Sequence, residues 1–365
     1  MSTAWTAADL CAIRSGRLPE IPEFRDEDCN YVLGDFWMWD FWPAEVPDGR
    51  RAEIGGGELW FALSSPKLED PDARHDIARI RMIRRSGGLW TDLGPAFPDN
   101  FTPGSREWSG SAIVDNGRIT LYFTAAGRRG EAVPTFEQRI FASSAPIDVT
   151  AAHVGQWTLP TECFASDGIV YAHAREVTGG IGTIKAFRDP AWFRDPLDGG
   201  EYIAFTGSLA DPTSAHVGCI GLARRENGHW VLLEPIVTAH GVNNELERPH
   251  VRVRDGRYYL FWSTQAQVFA NRNWRAPTGL YAMDAPSVLG PFRPIGTSAL
   301  VAANPDVAPS QAYSWWVGRD GEVSSFADRT GPQRAFQGKL APMFTITLPE
   351  YGRAREEQSQ DLAAL

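Results

Sequence analysis

One strand pattern recurs along this sequence, and it is clearest in the stretch Arg257-Tyr258-Tyr259-Leu260-Phe261-Trp262. Short runs rich in aromatic and β-branched residues, bounded by Gly, Pro, Asn and Asp, are typical of β-strands. Three similar runs precede it: Glu58-Leu59-Trp60-Phe61-Ala62-Leu63, Ile119-Thr120-Leu121-Tyr122-Phe123-Thr124 and Glu201-Tyr202-Ile203-Ala204-Phe205-Thr206. The chain is therefore expected to be all-β and built from repeated units.

Each copy is followed by a second apolar run and then by a glycine with an aromatic residue. The second runs are Ile80-Arg81-Met82-Ile83, Arg139-Ile140-Phe141-Ala142, Val217-Gly218-Cys219-Ile220-Gly221-Leu222 and Gly279-Leu280-Tyr281-Ala282-Met283. The glycine–aromatic elements are Gly88-Leu89-Trp90, Gly155-Gln156-Trp157, Gly228-His229-Trp230 and Gly290-Pro291-Phe292. A fifth, degenerate unit contains Tyr313-Ser314-Trp315-Trp316 and Val323-Ser324-Ser325-Phe326. Five units predict a five-bladed β-propeller with four-stranded blades and a central, funnel-shaped active site, because a β-sandwich does not account for the repeated order.

The sequence divides into three segments around this repeat. Residues 1–30 form an approach segment that contains prolines and an acidic cluster, with Thr6 placed to cap a short helix. Residues 31–349 contain the propeller, and residues 350–365 form a polar tail. Hydrophobic residues make up 43% of the chain, an ordinary value for a globular protein with a large core.

The composition excludes several classes of partner. A formal net charge of -10 makes nucleic acid a poor ligand, because the phosphate backbone is also negative. There is no run of about 18 apolar residues, so no membrane span is expected.

The histidines are scattered, and no Cys-x-x-Cys pair or phosphate loop occurs, so neither a metal nor a cofactor is expected. The four cysteines leave open a Cys11–Cys29 disulfide, a Cys163–Cys219 disulfide or free thiols.

Acidic residues stand ahead of the repeated strand, where the innermost strand of a blade would line the channel. Asp40 lies within Phe36-Trp37-Met38-Trp39-Asp40-Phe41-Trp42-Pro43, and a carboxylate among aromatic rings is costly unless it is hydrogen-bonded or neutralised. Glu245 and Glu247 are two residues apart, so a strand directs both to one face, where repulsion raises the pKa of one. Such sites tend to be functional. The structural alternatives are a turn aspartate at a blade edge and a solvated glutamate pair neutralised by Arg248.

Asp189 is selected by its position in the third unit. The sequence Phe187-Arg188-Asp189-Pro190 stands ahead of the repeated strand, whereas the near-copy Phe193-Arg194-Asp195-Pro196 precedes a turn at Leu197-Asp198-Gly199-Gly200. An Arg-Asp-Pro sequence is therefore a weak signal when taken alone. In a propeller, Asp40, Asp189 and Glu247 would converge on one channel.

Together these segments resemble glycoside hydrolase family 68, the levansucrases, inulosucrases and bacterial β-fructofuranosidases. The resemblance extends from about Trp5 to Leu348. It is carried by six motifs in order: Trp39-Asp40-x-Trp42-Pro43, Glu107-Trp108-Ser109-Gly110-Ser111-Ala112, Phe187-Arg188-Asp189-Pro190, Glu245-x-Glu247-Arg248-Pro249, Gly279-Leu280-Tyr281 and Gln311-x-Tyr313-Ser314. The family is five-bladed, which agrees with the number of repeats.

The resemblance implies a retaining enzyme that cleaves sucrose. By that resemblance, Asp40 is the nucleophile, Asp189 the transition-state stabiliser and Glu247 the general acid/base. A covalent fructosyl-enzyme would form and then pass its fructosyl unit to water or to a sugar acceptor. The residues expected to shape the substrate pocket are Trp39, Trp108, Ser109, Arg188, Glu245, Arg248, Gln265 and Tyr313.

Two positions depart from what the resemblance implies. Many Gram-positive relatives carry an aspartate directly before the Glu-x-Glu motif, where it helps to bind a structural calcium. This chain has Asn244 there, so no calcium is expected. Many Gram-negative levan producers have Ile-Ser-His after the fourth-unit strand, and this chain has Gln265 at the histidine position. That difference favours hydrolysis or short fructo-oligosaccharides over long levan.

Several alternatives stay open at this stage. Water, sucrose and oligosaccharides are all candidate fructosyl acceptors, and neither the product linkage nor the oligomeric state follows from the residues. A non-catalytic sugar-binding propeller and a five-bladed glycosidase acting on arabinosides are the competing hypotheses. The resemblance implies an extracellular or periplasmic enzyme. The first residues show no basic segment followed by an apolar core, so no signal peptide is expected there and a cytoplasmic location stays open.

Overall fold

The computed structural model describes residues 2–15, 18–32, 34–274 and 276–348, and the tail at 350–365 lies outside these ranges. The N-terminal segment contains β1 (Thr3–Ala4), α1 (Ala7–Cys11) and the 3-10 helices Ala12–Ser15 and Asp26–Asp28. Helix α1 follows Thr6 as predicted, and the Asp9 carboxylate accepts hydrogen bonds from the Thr6 amide and hydroxyl at 2.7 and 2.8 Å. Within the described ranges, no helix is long and apolar enough to cross a membrane.

The remaining strands form five consecutive antiparallel units. Blade one contains β2 (Phe36–Glu45), β3 (Glu58–Pro66), β4 (Arg79–Ser86) and β5 (Leu89–Pro95). Blade two contains β6 (Arg106–Asp115), β7 (Arg118–Ala126), β8 (Gln138–Asp148), β9 (His153–Val154) and β10 (Thr161–Phe164). Blade three contains β11 (Phe187–Arg194), β12 (Glu201–Ser208), β13 (Gly218–Glu226) and β14 (His229–Thr238). Blade four contains β15 (Glu247–Arg254), β16 (Arg257–Thr264), β17 (Gly279–Ala285), β18 (Arg293–Pro294) and β19 (Leu300–Ala303). Blade five contains β20 (Ala312–Val317), β21 (Glu322–Thr330), β22 (Ala335–Leu340) and β23 (Phe344–Thr345). Short 3-10 helices at Pro71–Asp76, Ala266–Val268 and Arg272–Trp274 lie in the connections.

The strands of each blade follow a simple meander. The first three strands of every blade pair antiparallel in chain order, and β5, β10 and β14 extend the first three blades outward. Blades four and five end in short strands, with β18 and β19 on β17 and β23 on β21. Blades one and two also touch through a short parallel pairing of β2 with β6, and β1 adds in parallel to the edge of β14. The predicted all-β, five-bladed propeller is confirmed by this order.

Two of the four glycine–aromatic elements lie in edge strands, Leu89-Trp90 in β5 and His229-Trp230 in β14. The other two, at residues 155–157 and 290–292, lie outside the strands. Pro291 has no amide hydrogen to donate to a ladder, so it suits a connection better than a strand. Trp157 is buried through its ring, which packs edge-on against Phe97 with the ring centroids 5.2 Å apart. A buried aromatic residue next to a glycine can therefore belong to a strand or to a loop, because both leave the same sequence signal.

The N-terminal segment is attached to the propeller mainly through Trp5. Its ring lies edge-on against Trp262 at 5.2 Å and against Tyr281 at 5.1 Å, and it is 1% exposed. Burying a large apolar side chain stabilises a fold by about 1.5–3 kcal/mol. The backbone adds hydrogen bonds, since the Trp5 amide donates to the Thr238 carbonyl at 2.7 Å. These contacts fix the start of the segment on the side of blades three and four.

A β-bulge interrupts the innermost strand of every blade at the same place. The register shifts lie between Trp39 and Trp42, Trp108 and Gly110, Arg188 and Ala191, Glu247 and His250, and Tyr313 and Trp316. Four residues in these bulges have left-handed backbone conformations: Asp40 (φ 52°), Asp189 (58°), Arg248 (50°) and Ser314 (60°). A non-glycine residue in this region costs of order 1–3 kcal/mol and is typical of functional sites. Blade packing has to supply that free energy.

Replacing Gly110 by alanine is expected to destabilise the propeller strongly. A Cβ at this position would lie 1.8 Å from the Tyr122 carbonyl oxygen, so the bulge of β6 has no room for a side chain. We expect the free energy of unfolding to fall by about 3 kcal/mol, as measured by urea denaturation. Gly34→Ala is the matched control, because a Cβ there meets no atom within 4 Å. Equal stability of Gly110→Ala and the wild type would contradict the bulge geometry.

Candidate active site

A cavity of about 500 Å³ opens where the innermost strands of all five blades meet. Its lining includes two consecutive residues from each blade: Trp39 with Asp40, Trp108 with Ser109, Arg188 with Asp189, Glu247 with Arg248, and Tyr313 with Ser314. In a regular strand, consecutive side chains point to opposite faces, so only one of each pair could reach the channel. The bulge removes this limit because its extra residue re-aims the side chains. The three predicted carboxylates Asp40, Asp189 and Glu247 therefore share one cavity.

Asp40 is held by a hydroxyl group from the neighbouring blade. Ser109 Oγ donates a hydrogen bond to Asp40 Oδ2 across the seam between blades one and two. The ion pairs of Arg188 involve Asp189, Glu245 and Glu247, and no ion pair between described residues includes Asp40. The Asp40 carboxylate is thus oriented without being neutralised by direct contact with a cation.

Asp189 is more deeply enclosed, with 7% of its surface exposed. Its Oδ2 accepts hydrogen bonds from Thr206 Oγ1 at 3.0 Å and from the Arg248 amide at 3.3 Å. Burial raises the pKa of Asp189 to about 6 against the opposing charge of Arg188, and the negative charges of Glu247 and Asp40 also raise it. This carboxyl group therefore changes its charge close to neutral pH.

Glu247 and Glu245 both approach the guanidinium of Arg188. Arg188 Nη2 lies 2.8 Å from Glu247 Oε1 and 3.5 Å from Glu245 Oε1, and the Tyr313 hydroxyl donates to Glu247 Oε2. The raised pKa predicted for one member of the pair is found at Glu245, where burial raises the pKa to about 7 and the Glu247 charge adds to the effect. Glu245 also accepts a hydrogen bond from the Gly182 amide at 3.0 Å. Glu245 is therefore a buried residue that lies beside Glu247 and shares the Arg188 guanidinium with it.

The two predicted arginines have different surroundings. Arg188 is enclosed by three carboxylates, and their charges raise its pKa against the effect of burial. Arg248 lines the cavity, but its Nη1 donates to the Phe41 carbonyl at 3.2 Å and to Ser314 Oγ at 2.8 Å. Its guanidinium also lies over the ring of Trp42, 5.4 Å from the centroid. Arg248 thus ties blade four to blades one and five while placing a positive charge near Asp40, Asp189 and Glu247.

Aromatic residues form one wall of the cavity, and one member of that wall was missed by sequence analysis. Trp39 and Trp108 line the cavity as expected, and His75 lies beside them. The His75 ring packs edge-on against Trp39 at 5.6 Å, and its carbonyl accepts a hydrogen bond from Trp108 Nε1 at 3.2 Å. Burial, with help from nearby arginines, holds the pKa of His75 well below its usual value. It is therefore a neutral residue at neutral pH.

Two connections also contribute to the cavity without a clear sequence signal. One is the 3-10 helix Pro71–Asp76 between β3 and β4, and the other is the segment 179–184 before β11. An Asp70-Pro71 turn was the available signal for the first, since Asp70 Oδ1 accepts a hydrogen bond from the Asp72 amide at 2.9 Å. Gln265 follows β16, and the cavity lining within the described part of the chain does not include it.

The structure contains four free cysteines. Among residues 2–15, 18–32, 34–274 and 276–348, no group of three or more His, Cys, Asp or Glu side chains is arranged to hold a metal ion. Asn244 stands where a calcium ligand would be expected by the family resemblance. Its Nδ2 donates hydrogen bonds to the carbonyls of Gly182 at 2.9 Å and Ile184 at 3.3 Å. Because the Asn244 side chain presents its amide hydrogens to these carbonyl oxygens, the oxygens are not arranged to coordinate a cation.

Comparisons with known proteins agree with this fold. A family model described as levansucrase/invertase, Glyco_hydro_68, matches residues 1–217 and 210–361. Levansucrase LscC of Pseudomonas savastanoi pv. glycinea is 30% identical over 95% of this chain and 89% of its own length. The structure of an inulosucrase from Halalkalicoccus jeotgali bound to kestose superposes with a TM-score of 0.86, at 33% identity over 96% of this chain and 94% of that chain. The catalytic domain of a Microbacterium saccharophilum β-fructofuranosidase gives a TM-score of 0.81, at 26% identity over 94% of this chain and 88% of that chain.

We expect the pH profile of sucrose cleavage to have an acid limb near pH 6. Asp189, with its pKa raised to about 6, is expected to act as the ionised form, so kcat/KM rises as the pH rises through this value. A buffer series from acid to neutral pH, with enzyme stability checked at each point, measures it. An acid limb near pH 4, the ordinary range of an exposed carboxyl group, would contradict the expectation.

Chelation is expected to leave activity unchanged. Because Asn244 already bonds the Gly182 and Ile184 carbonyls, the loop needs no cation at this point. Rates of sucrose cleavage before and after treatment with EDTA should agree. Asn244→Asp removes both donated hydrogen bonds and should lower the free energy of unfolding by about 1–3 kcal/mol. Loss of activity in EDTA that added Ca²⁺ restores would contradict this account.

Proposed function

This chain belongs to glycoside hydrolase family 68, the levansucrase/invertase family, and we propose that it cleaves sucrose and transfers the fructosyl unit with retention of configuration. The observation that carries this proposal is the meeting of Asp40, Asp189 and Glu247 in one cavity from three different blades. Two carboxyl groups that flank a scissile glycosidic bond are the basis of retaining glycosidase chemistry. A sugar-binding protein without catalysis needs no such set.

In the first step, Asp40 attacks C2 of the fructosyl unit while Glu247 protonates the glycosidic oxygen. The bond between C2 and that oxygen breaks, and glucose leaves with the proton. The absence of an ion pair on Asp40 among the described residues supports its role as nucleophile, because a carboxylate in contact with a cation attacks less readily. Hydrogen bonds from Tyr313 and Arg188 orient the Glu247 carboxyl group.

In the second step, Glu247 acts as a base on the incoming acceptor. It removes a proton from water or from a sugar hydroxyl, whose oxygen then bonds to C2 and releases Asp40. Both outcomes share the fructosyl-enzyme, so the ratio of hydrolysis to transfer depends on which acceptor reaches C2. Asp189 hydrogen-bonds fructose hydroxyls, and these bonds strengthen as positive charge develops on the ring.

Asp40→Ala is expected to lose sucrose cleavage and fructosyl transfer together. We expect glucose release to fall by about 10⁴-fold or more, because a nucleophile acts as part of a catalytic unit. Circular dichroism should show an intact fold. The measurement is a coupled glucose assay, with sugar chromatography of the products at high sucrose concentration.

Asp189→Asn is a second test, and Asp195→Asn is its matched control, because the two residues lie in the two Arg-Asp-Pro sequences. Asp195 accepts hydrogen bonds from the Tyr258 hydroxyl at 2.7 and 2.8 Å, away from the cavity lining. Only Asp189→Asn should lose activity. Substantial turnover in Asp40→Ala would reject Asp40 as nucleophile, and an inactive wild type that still binds sucrose would reject the enzyme in favour of a binding protein.

A further inference from the structure

The bulges create a hydrogen-bonding problem at the seams between blades. A bulge interrupts the ladder of its own blade, so the amide of the bulged residue loses its regular partner. Asp189 and Arg248 both lie in bulges and are buried, with 7% and 3% of their surfaces exposed. A buried backbone N–H without a partner costs free energy comparable to a lost hydrogen bond. Each of these two amides must find an acceptor outside its own sheet.

A threonine from the preceding blade supplies that acceptor in both cases. The Asp189 amide donates to Thr124 Oγ1 at 2.9 Å, and the Arg248 amide donates to Thr206 Oγ1 at 3.2 Å. Both threonines are fully buried. They occupy equivalent places, because Thr124 pairs with Trp108 and Thr206 pairs with Arg188, each just before a bulge.

The two threonines differ in where their hydroxyl hydrogen goes. A backbone amide can only donate, so each hydroxyl must accept there and has one hydrogen left to donate. Thr124 donates it to the Ser109 carbonyl at 3.2 Å, whereas Thr206 donates it to Asp189 Oδ2 at 3.0 Å. The Thr124 hydroxyl therefore meets backbone alone, and the Thr206 hydroxyl meets the Asp189 carboxylate.

The contacts to Asp189 are concentrated on one oxygen. Thr206 Oγ1, the Arg248 amide and Arg188 Nε, at 3.7 Å, all approach Oδ2. Within the described residues no hydrogen bond reaches Oδ1, which leaves that oxygen for the cavity that Asp189 lines. Because Thr206 Oγ1 accepts from the Arg248 amide, its own hydrogen is donated to Asp189 Oδ2. This hydrogen bond favours the ionised form of Asp189 and fixes the rotation of its carboxyl plane.

We propose that Thr206 is a positioning residue that links the Asp189 carboxylate to the Glu247 and Arg248 bulge across the seam between blades three and four. It sets the orientation of the Asp189 carboxylate towards substrate. It also fixes the position, relative to blade three, of the strand that carries Glu247. The inference rests on the proposed function, since Asp189 and Glu247 take their roles from it. At the corresponding pairing positions of blades one and five stand Leu63 and Phe326, which carry no hydroxyl group.

The test compares Thr206→Val, Thr206→Ser and Thr124→Val in the full chain, with sucrose as substrate. Thr206→Val keeps the shape and removes both hydrogen bonds, so kcat should fall by about 10- to 100-fold, the range for a lost hydrogen bond to a charged group. The acid limb of kcat/KM should also move to higher pH, since the ionised form loses a donor. Thr206→Ser keeps the hydroxyl and should restore the wild-type profile.

Other charges face Asp189 and are unchanged in these variants. They are Arg188 on its own strand, Glu247 and Arg248 on β15, and Asp40 on β2. Thr124→Val is the matched control because it loses equally buried hydrogen bonds that do not touch the carboxylate. It should lower stability, and the acid limb should stay in place. Thr206→Ala replaces Thr206→Val in the comparison if the valine variant does not fold.

Two results would overturn the proposal. One is wild-type kcat and a wild-type pH profile in the Thr206→Val or Thr206→Ala variant. The other is an equal loss of activity in the Thr206 and Thr124 variants with no movement of the acid limb, which would make Thr206 a structural residue only. Failure of the proposed function looks different, because the wild type itself would then release no glucose from sucrose.

Discussion

The β-bulge in each innermost strand is the constraint on which the site depends. Because every blade contains the same bulge, two consecutive side chains from each of the five blades face one cavity. Without the extra residue, strand alternation would send either Asp40 or Trp39 away from the channel, and the same holds for Arg188 and Asp189. The chemistry is therefore built on a feature of the backbone that the repeated fold provides in every blade.

The bulges are costly, and the surrounding structure offsets that cost. Asp40, Asp189 and Arg248 adopt left-handed backbone conformations, and Asp189 is a buried carboxylate whose pKa is raised by that burial. Strain and buried charge of this kind persist only where packing over-determines the conformation. Here the supports cross the seams between blades, from Ser109 to Asp40, from the Arg248 amide to Thr206 and from Arg248 to Ser314. The ring of blades is closed by the same polar contacts that orient the site.

The sequence was sufficient for the fold and for the three carboxylates Asp40, Asp189 and Glu247 that meet in the cavity, for a physical reason, whereas the predicted Gln265 is not part of the lining. Strands rich in aromatic residues repeat with a regular order, and an aspartate among tryptophans is costly enough to be conspicuous. Features set by connections were not predictable in the same way. His75 and the segment 179–184 reach the cavity because of where loops fold, and no local pattern reports that. The glycine–aromatic elements at residues 155–157 and 290–292 lie outside the strands, because a loop can also bury an aromatic ring.

If Asp40 receives the fructosyl unit, the covalent intermediate can be trapped on this residue. Fructosyl fluoride has a leaving group that needs no protonation, so Glu247→Gln should form the fructosyl-enzyme and release it slowly for lack of a base. Peptide mass spectrometry of the acid-quenched protein is predicted to find one fructosyl unit attached to Asp40. Attachment to Asp189 or elsewhere, or fluoride release without any adduct in rapidly quenched samples, would contradict the account.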